Sequence, residues 1–455
     1  MNLTRNHLKR FLLPLVLAAL GAGFCALLVP AEIEAVRQQL IGFPDSDVAA
    51  HQARPLVLAA LFLLPALAAL FYALADTMDR YIASEFAGIF GVCLSALVMI
   101  WLLIDLGDKI GDFREAEQVL RTIGLFYGTR APAILLLLLP YSLLLALLYS
   151  LGKLSGSREI IAMIQSGRSV IRVTLPLLVA GIFLSLFSLG LNYHWGPVSE
   201  GLRGEILEAS SGKKPIQASN VLFRDPSNRR LWLIGEFPRD YHTGGPLRDV
   251  QITTTRADNS LESRISASSA RWDPGDARWT FENAVVGEFR PNEPTLFKSH
   301  TEPLIIEGWA ETPWQLIKPG LSPALLGIPD LSGWLAAHAK RAPFTDPAPY
   351  QTQWHFRWAL PFTCLVTVLL ATPLGIHFAR RGAGGGVFFA VALAGLMLLF
   401  STISVALGEA GALAPWQAAW LPNASFALLG LYLFRRRITG QPIYRALTRL
   451  LPTTD

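Results

Sequence analysis

Residues Pro132 to Leu151 read PAILLLLLPYSLLLALLYSL, twenty positions without one charged side chain. A helix of about 20 residues spans the roughly 30 Å hydrocarbon core of a bilayer, and a run this apolar reads as such a span. Seven other stretches share its character: Phe11 to Val29, Pro55 to Ala75, Phe86 to Ile104, Val173 to Leu191, Trp358 to Phe378, Gly385 to Leu407 and Ala412 to Phe434. The expected fold class is an α-helical polytopic membrane protein with about eight transmembrane helices. Composition agrees. Of 455 residues, 52% are hydrophobic and 16% charged, where a soluble domain carries about a quarter charged. A soluble enzyme is excluded on that ground.

Charge placement sets the expected topology. Short connections on the cytoplasmic side of a membrane are enriched in Lys and Arg. With the N-terminus inside, the inner set is Arg5, Lys9, Arg10, Arg80, Lys153, Arg158, Arg168, Arg172, Arg380, Arg381, Arg435, Arg436, Arg437, Arg445 and Arg449. The outer set is Arg37, Arg54, Lys109, Arg114, Arg121 and Arg130, so the count is fifteen against six. Both termini are then cytoplasmic. The overall charge of +5 is explained by this bias and gives no reason to expect nucleic acid as a partner. The first run also fits a cleaved signal peptide, since Lys9 and Arg10 precede it and small residues follow. Cleavage would leave the later topology unchanged.

Between the fifth and sixth runs lies a polar stretch of about 160 residues, enough for one folded domain, and the topology places it outside. Leu231 to Ile234, Val250 to Thr254, Arg264 to Ser268 and Trp279 to Val286 alternate or are β-branched. Turn clusters at Asp225 to Asn228, Asp258-Asn259 and Asp273 to Asp276 separate them. Short strands at this spacing point to a β-sandwich or jelly roll. From Ala324 to Lys340 the pattern turns helical, a connector to the sixth run.

Several chemistries are missing from the sequence. No Gly-x-x-x-x-Gly-Lys-Ser/Thr phosphate loop occurs, and Gly152-Lys153 and Gly212-Lys213 lack the earlier glycine and the hydroxyl residue. No His-Glu-x-x-His pair or Gly-x-Ser-x-Gly elbow occurs, so no metal, cofactor or catalytic residue is expected. Cys25, Cys93 and Cys364 sit in separate apolar runs and read as small core residues. One connection does carry a pattern. After the fourth run, Ser157 is placed to cap a helix in which Glu159 favours the positive end, Ile160, Ile161 and Ile164 share a face, and Gly167 is a natural stop. This is either an amphipathic helix on the inner membrane surface or a coupling helix seated in a separate ATPase. Periodicity alone leaves both open.

The sequence resembles the LptF/LptG family of lipopolysaccharide-export permeases. In its first half the resemblance rests on Asp79-Arg80-Tyr81-Ile82, Pro140-Tyr141-Ser142-Leu143-Leu144, Gly152-Lys153-Leu154, Glu159-Ile160 and Ser166-Gly167. In the second half it rests on His355 to Phe362, Thr372-Pro373-Leu374-Gly375 and Ala419 to Asn423. In the insert, Trp232 to Phe237, Asp249-Val250 and Ala267 to Trp272 are similar to the family's periplasmic jelly roll. The likeness runs from about Met78 to Arg437. The family has six spans, so the two N-terminal ones are an addition, expected to lie beside the first family span and to be dispensable for topology.

The resemblance implies the residue roles. The acidic residue of the family's coupling helix pairs with a basic residue of the ATPase, and its position here is Glu159; Ser157, Arg158, Ile160, Met163 and Gly167 would line the same contact. Family members hold lipid phosphates with basic side chains near the outer span ends. A position that is lysine in some members falls on Asp105 here, which leaves Lys109, Arg114 and Arg357 as head-group candidates, each readable as a ligand or as an interfacial anchor. The implied partners are a cytoplasmic ABC ATPase of the LptB type, a second LptF/LptG-type permease chain, an LptC-like or LptA-like periplasmic protein, and lipopolysaccharide.

The expected domains are 1–77, two extra helices; 78–192, a first transmembrane half with the coupling helix at 157–167; 193–323, the periplasmic jelly roll; 324–354, the connector; 355–437, the second transmembrane half; and 438–455, a cytoplasmic tail. The expected function is a permease subunit of the bacterial inner membrane, not itself an enzyme. A membrane-anchored periplasmic scaffold, or an exporter of another envelope glycolipid or phospholipid, remains the alternative.

Overall fold

Apolar runs become long helices here because a helix satisfies its backbone groups internally, which a membrane interior demands. The computed structural model describes residues 2–39, 49–114, 118–201, 216–225, 228–238, 240–241, 244–258, 260–273, 276, 278–290, 294–309, 311–317, 320–339, 346–376 and 384–439. Arg380, Arg381, Arg445 and Arg449, the turn residues Pro226, Ser227, Asn259, Pro274 and Gly275, and the expected tail beyond Thr439 lie outside the described residues.

The helices are α1 (Asn2–Gln39), α2 (Arg54–Leu74), α3 (Thr77–Arg114), α4 (Val119–Gly156), the short α5 (Glu159–Gln165) and α6 (Val170–Tyr193). After the sheet come α7 (Pro313–Ile317), α8 (Ile328–Ala339), α9 (Ala348–Ala359), α10 (Phe362–Gly375), α11 (Gly384–Glu409) and α12 (Pro415–Ile438). Among the described residues, six helices are long and apolar enough to cross a membrane, and seven if α9 and α10 form one bent span. The eight apolar runs therefore differ in quality. In α12, Gln417, Pro422, Asn423 and the closing arginines Arg435, Arg436 and Arg437 dilute the run.

The sixth run is bent by 51° between α9 and α10. Pro361 sits at the break, where its ring and missing N–H interrupt the helical ladder. The carbonyl of Ala359 is satisfied from the side, by Asn423 Nδ2 of α12 at 2.6 Å. Arg357, one turn earlier and 8% exposed, ties the bend to its neighbours. Its Nε donates to Leu326 O at 3.2 Å and its Nη2 to Ala324 O, and Asn192 Nδ2 donates to Arg357 O at 2.6 Å.

The bundle core lies toward the end that carries α5. Ile82 and Phe86 of α3, Leu143, Leu147 and Leu151 of α4, Ile160 and Met163 of α5, Val173 and Leu177 of α6, and Val368 and Leu374 of α10 form one buried cluster. Helix contact is closest where side chains are absent: a Cβ on Gly375 would come within 2.9 Å of Leu151 Cβ. The N-terminal helices attach on another face. Phe24 of α1 stacks on Phe62 of α2 at 5.6 Å, and Phe71 of α2 meets Phe183 of α6 at 5.4 Å. At the sheet-bearing end, Arg54 pairs with Glu32 at 2.6 Å, and Asp330 of α8 receives His51 at 3.0 Å and His194 at 3.4 Å.

The insert is an eight-stranded antiparallel sheet: β1 (Ile216–Asp225), β2 (Arg230–Pro238), β3 (Leu247–Thr255), β4 (Leu261–Asp273), β5 (Arg278–Glu282), β6 (Val285–Glu288), β7 (Leu296–Ser299) and β8 (Leu304–Glu307). The order β1-β2-β3-β4-β5-β8 divides at β4, whose start pairs with β6 and whose end pairs with β5. The run Trp279 to Val286, expected as one strand, is two. Asn283 adopts φ 52°, a left-handed conformation that Asn tolerates, and its Nδ2 donates to Ser268 Oγ at 3.0 Å, so the chain leaves one arm of the sheet and joins the other. Trp232, Ile234, Phe237, Trp279 and Phe281 are fully buried in a single core. Arg230 closes it, its Nε 2.6 Å from Glu311 Oε1 and its guanidinium over the Trp309 ring.

Candidate functional site

Besides the Asp330 cluster, charged residues of the helical region gather at the α4–α6 connection and around a cavity toward the opposite, sheet-bearing end.

In the connection, α4 runs on to Gly156, and Ser157 is its C-cap, the Ser157 N–H donating to Lys153 O at 3.0 Å. Ser157 therefore closes the helix before α5 instead of capping α5. Arg158 stands at the N-cap position with φ 62°, without a side-chain cap, and turns the chain sharply between the two helices. The stop is as the glycine suggests. Gly167 has φ 94°, its N–H donates to Ile164 O at 3.0 Å, and Arg168 N–H donates to Met163 O at 3.2 Å. Those two bonds are the Schellman termination.

Helix α5 is amphipathic, but Ile160 and Met163 turn inward, 1% and 8% exposed, into the bundle core. They anchor the helix and do not form its outer surface. Ser157, Arg158, Ala162, Gln165, Ser166 and Gly167 are exposed, and Glu159 is half-buried. Each Glu159 oxygen accepts one hydroxyl: Ser157 Oγ at 2.8 Å on Oε1, and Tyr81 of α3 at 2.8 Å on Oε2. Ion pairs flank this contact. Lys153 pairs with Glu85, Arg168 with Asp79 at 3.0 Å, and Arg172 with Asp79 at 2.9 Å and Asp76 at 3.1 Å. The start of α3 is thus fastened to the whole connection.

The cavity holds about 690 Å³, within the range of about 300–1,000 Å³ usual for ligand pockets. Its walls are mainly apolar, with Leu136, Leu137, Leu360, Met397, Leu398 and Val405 among them, and its charged lining comprises Arg130, Arg357, Glu200 and Glu409. Arg130 is 4% exposed. Its Nη1 lies 3.4 Å from Asp105 Oδ2, its Nη2 3.2 Å from Glu200 Oε2, and its guanidinium stacks over Trp101 and Phe126. Asp105 also receives Tyr127 OH at 3.0 Å and Lys109 Nζ at 3.5 Å.

The three head-group candidates separate accordingly. Arg357 lines the cavity while holding backbone carbonyls; Lys109 is buried beside it on Asp105 and the Phe126 ring; Arg114 is exposed at the end of α3. Arg130, counted in the outer basic set, and Tyr81, part of the motif that carries the resemblance, have no site role in the sequence reading. Arg130 could have been given one, as a basic residue within two positions of an apolar span. Tyr81 could not, since its partner lies 78 residues away. Among the described residues no group of His, Cys, Asp and Glu is arranged to hold a metal ion.

A bundle of helices long and apolar enough to span a membrane, with an inserted antiparallel sheet and an anchored short helix in a span-to-span connection, is the architecture of a polytopic membrane protein. The family model "Lipopolysaccharide export system permease LptF/LptG" matches residues 80–436, and the chain belongs to that family. Helices α1 and α2 lie outside the match. No individual curated protein matches the chain.

Proposed function

We infer that this chain is one permease subunit of an ATP-driven exporter that extracts lipopolysaccharide from the bacterial inner membrane and hands it to a periplasmic bridge. The observation that carries the reading is Glu159, an acidic side chain on an anchored seven-residue helix, in a chain whose family is one of transport permeases.

The basic residues near the span ends favour both termini in the cytoplasm and the sheet, a jelly roll, in the periplasm. Counting the α9–α10 pair and α12 as crossings gives eight spans. The domain division we propose is the one read from the sequence: added helices at 1–77, a first half at 78–192, the jelly roll at 193–323, a connector at 324–354, a second half at 355–437 and a tail at 438–455, although α9 crosses the boundary between connector and second half.

An LptB-type ATPase supplies hydrolysis, and Glu159 meets one of its basic residues, with Ser157, Arg158 and Gly167 on the contact surface. Ile160 and Met163 act from behind, transmitting displacement into the bundle core. A second LptF/LptG-type chain completes the lipid cavity, and an LptC-like or LptA-like protein receives from the jelly roll. Apolar walls suit acyl chains, each buried CH₂ contributing about 0.8 kcal/mol. Arg357 and Arg130 line the cavity where a phosphorylated head would rest, with Lys109 buried behind them on Asp105 and Arg114 exposed at the end of α3.

The test is mass spectrometry of lipid and protein co-purifying with the chain. Lipopolysaccharide and an ABC ATPase together are the expected result. A phospholipid or another glycolipid as the enriched lipid overturns the cargo, and absence of any ATPase favours a scaffold.

A further inference from the structure

Helix α3 begins beside the coupling connection and runs past the cavity. It is a single helix of 38 residues, Thr77–Arg114, with no proline inside, whereas α4 contains two and α6, α10 and α12 contain one each. At about 1.5 Å per residue it is roughly 57 Å long, and no proline ring interrupts its hydrogen-bond ladder. About two-thirds of the way along it, Trp101 lines the cavity and, one turn further on, Asp105 holds Arg130. At its near end Tyr81 holds Glu159.

We propose that Tyr81 is a positioning residue that makes α3 the element driven by the coupling helix, so that displacement at Glu159 is delivered to the Asp105–Arg130 pair at the cavity. The proposal rests on the reading of Glu159 as the ATPase contact. Three features carry it. First, the Tyr81 and Ser157 hydroxyls occupy one oxygen each of Glu159 and leave its full negative charge in place, so they fix its direction without competing for a cationic partner. Second, Ile82 and Phe86, on the turns beside Tyr81, share a buried cluster with Ile160 and Met163, so the hydroxyl contact sits above a packed seam. Third, the ion pairs of Lys153 with Glu85 and of Arg168 and Arg172 with Asp79 bind the connection to α3 on both sides of α5. A displacement of α5 therefore reaches α3 through the Tyr81 hydroxyl, the packed seam and these ion pairs, as it reaches α4 and α6, which carry Pro140 and Pro176.

The experiment uses the full chain assembled with its ATPase and partner permease in proteoliposomes, reading lipid released per ATP hydrolysed. Tyr81→Phe keeps the ring and removes only the hydroxyl. The expected result is intact assembly, an ATPase rate within about twofold of wild type, and a release-to-hydrolysis ratio reduced about fivefold. Nitroxides at Ile104 and Leu125, both exposed, provide the second readout. Their ATP-dependent distance change is expected in the wild type and lost in Tyr81→Phe. Glu159→Ala separates the two readings. If Glu159→Ala transports normally, the coupling assignment fails. If Glu159→Ala is impaired but Tyr81→Phe keeps the wild-type ratio and distance change, the relay through α3 is overturned and the coupling assignment stands. Loss of assembly in Tyr81→Phe would make Tyr81 part of the partner contact and would also overturn the relay.

Discussion

His51 Nε2 lies 3.0 Å from Asp330 Oδ1, joining a residue outside the family-matched region to the connector helix inside it. The other Asp330 oxygen faces His194 at 3.4 Å and accepts from the Gly327 N–H at 3.3 Å, so the same carboxylate closes the start of α8. The two added helices are therefore fastened to the permease body. Deleting residues 1–77 should preserve topology, because the inner arginines remain, but should lower thermal stability. His51→Ala alone should cost about 1–3 kcal/mol, the usual price of stripping a partner from a buried polar group. Thermal unfolding in detergent reads both, and an unchanged midpoint in the truncated chain would show the attachment to be idle.

The same cluster gives a pH dependence. Burial pushes the His194 imidazole below its ordinary value of 6.5, despite the opposing pull of Asp330. Burial raises the Asp330 carboxyl, but hydrogen bonds and charge from His194 and His51 outweigh it and hold the group well below its ordinary range. Arg54, Glu32 and Tyr193 complete the surroundings. A group whose pKa is depressed by folding contributes stability above its unfolded value and loses it as pH falls toward the folded one. The attachment should be firm above about pH 6.5 and weaken on acidification. Midpoints compared at pH 7.5 and 5.5 should fall in the wild type more than in His194→Gln; equal falls would remove His194 from the explanation.

Asp105 offsets Arg130 and Lys109 at once. Asp105→Asn should expose more positive potential to the cavity and raise retention of an anionic lipid by up to about tenfold, equivalent to about 1.4 kcal/mol. Quantifying phosphorylated lipid per purified chain checks this. Lower retention in the variant would mean that the carboxylate orients the cations more than it neutralises them.

Glu311 is 1% exposed and depends on Arg230. Arg230→Ala leaves that carboxylate buried without its cation, a change that costs about 3–5 kcal/mol. Protease resistance of the sheet region in the intact chain should fall accordingly, while Arg248→Ala, on an exposed pair with Glu236, should leave it unaltered.

Local pattern revealed what depends on local pattern. The uncharged run Pro132 to Leu151 announces α4, and Gly167 announces the end of α5, because hydrophobic length and left-handed φ are properties of a few adjacent residues. The bend at Pro361 was less legible, since the helix before it, α9, carries Gln351, Gln353, His355 and Arg357 and does not look like part of a span. The contacts that organise the candidate site were not legible. Tyr81 meets Glu159, Asp105 meets Arg130, and His51 meets Asp330 across 78, 25 and 279 residues, and only the packing of whole helices brings them together. Ile160 and Met163 show the converse: an apolar face was visible in the sequence, but whether it looked toward the bundle or toward a partner depended on neighbours distant in the chain.

ATP-dependent release of lipopolysaccharide from proteoliposomes, measured for wild type and Glu159→Lys in the assembled complex, tests the central claim most directly. Release by the wild type, and its loss in a Glu159→Lys chain that still inserts in the membrane, is the result expected of a permease driven through that side chain. Full ATP-driven release by Glu159→Lys would contradict it.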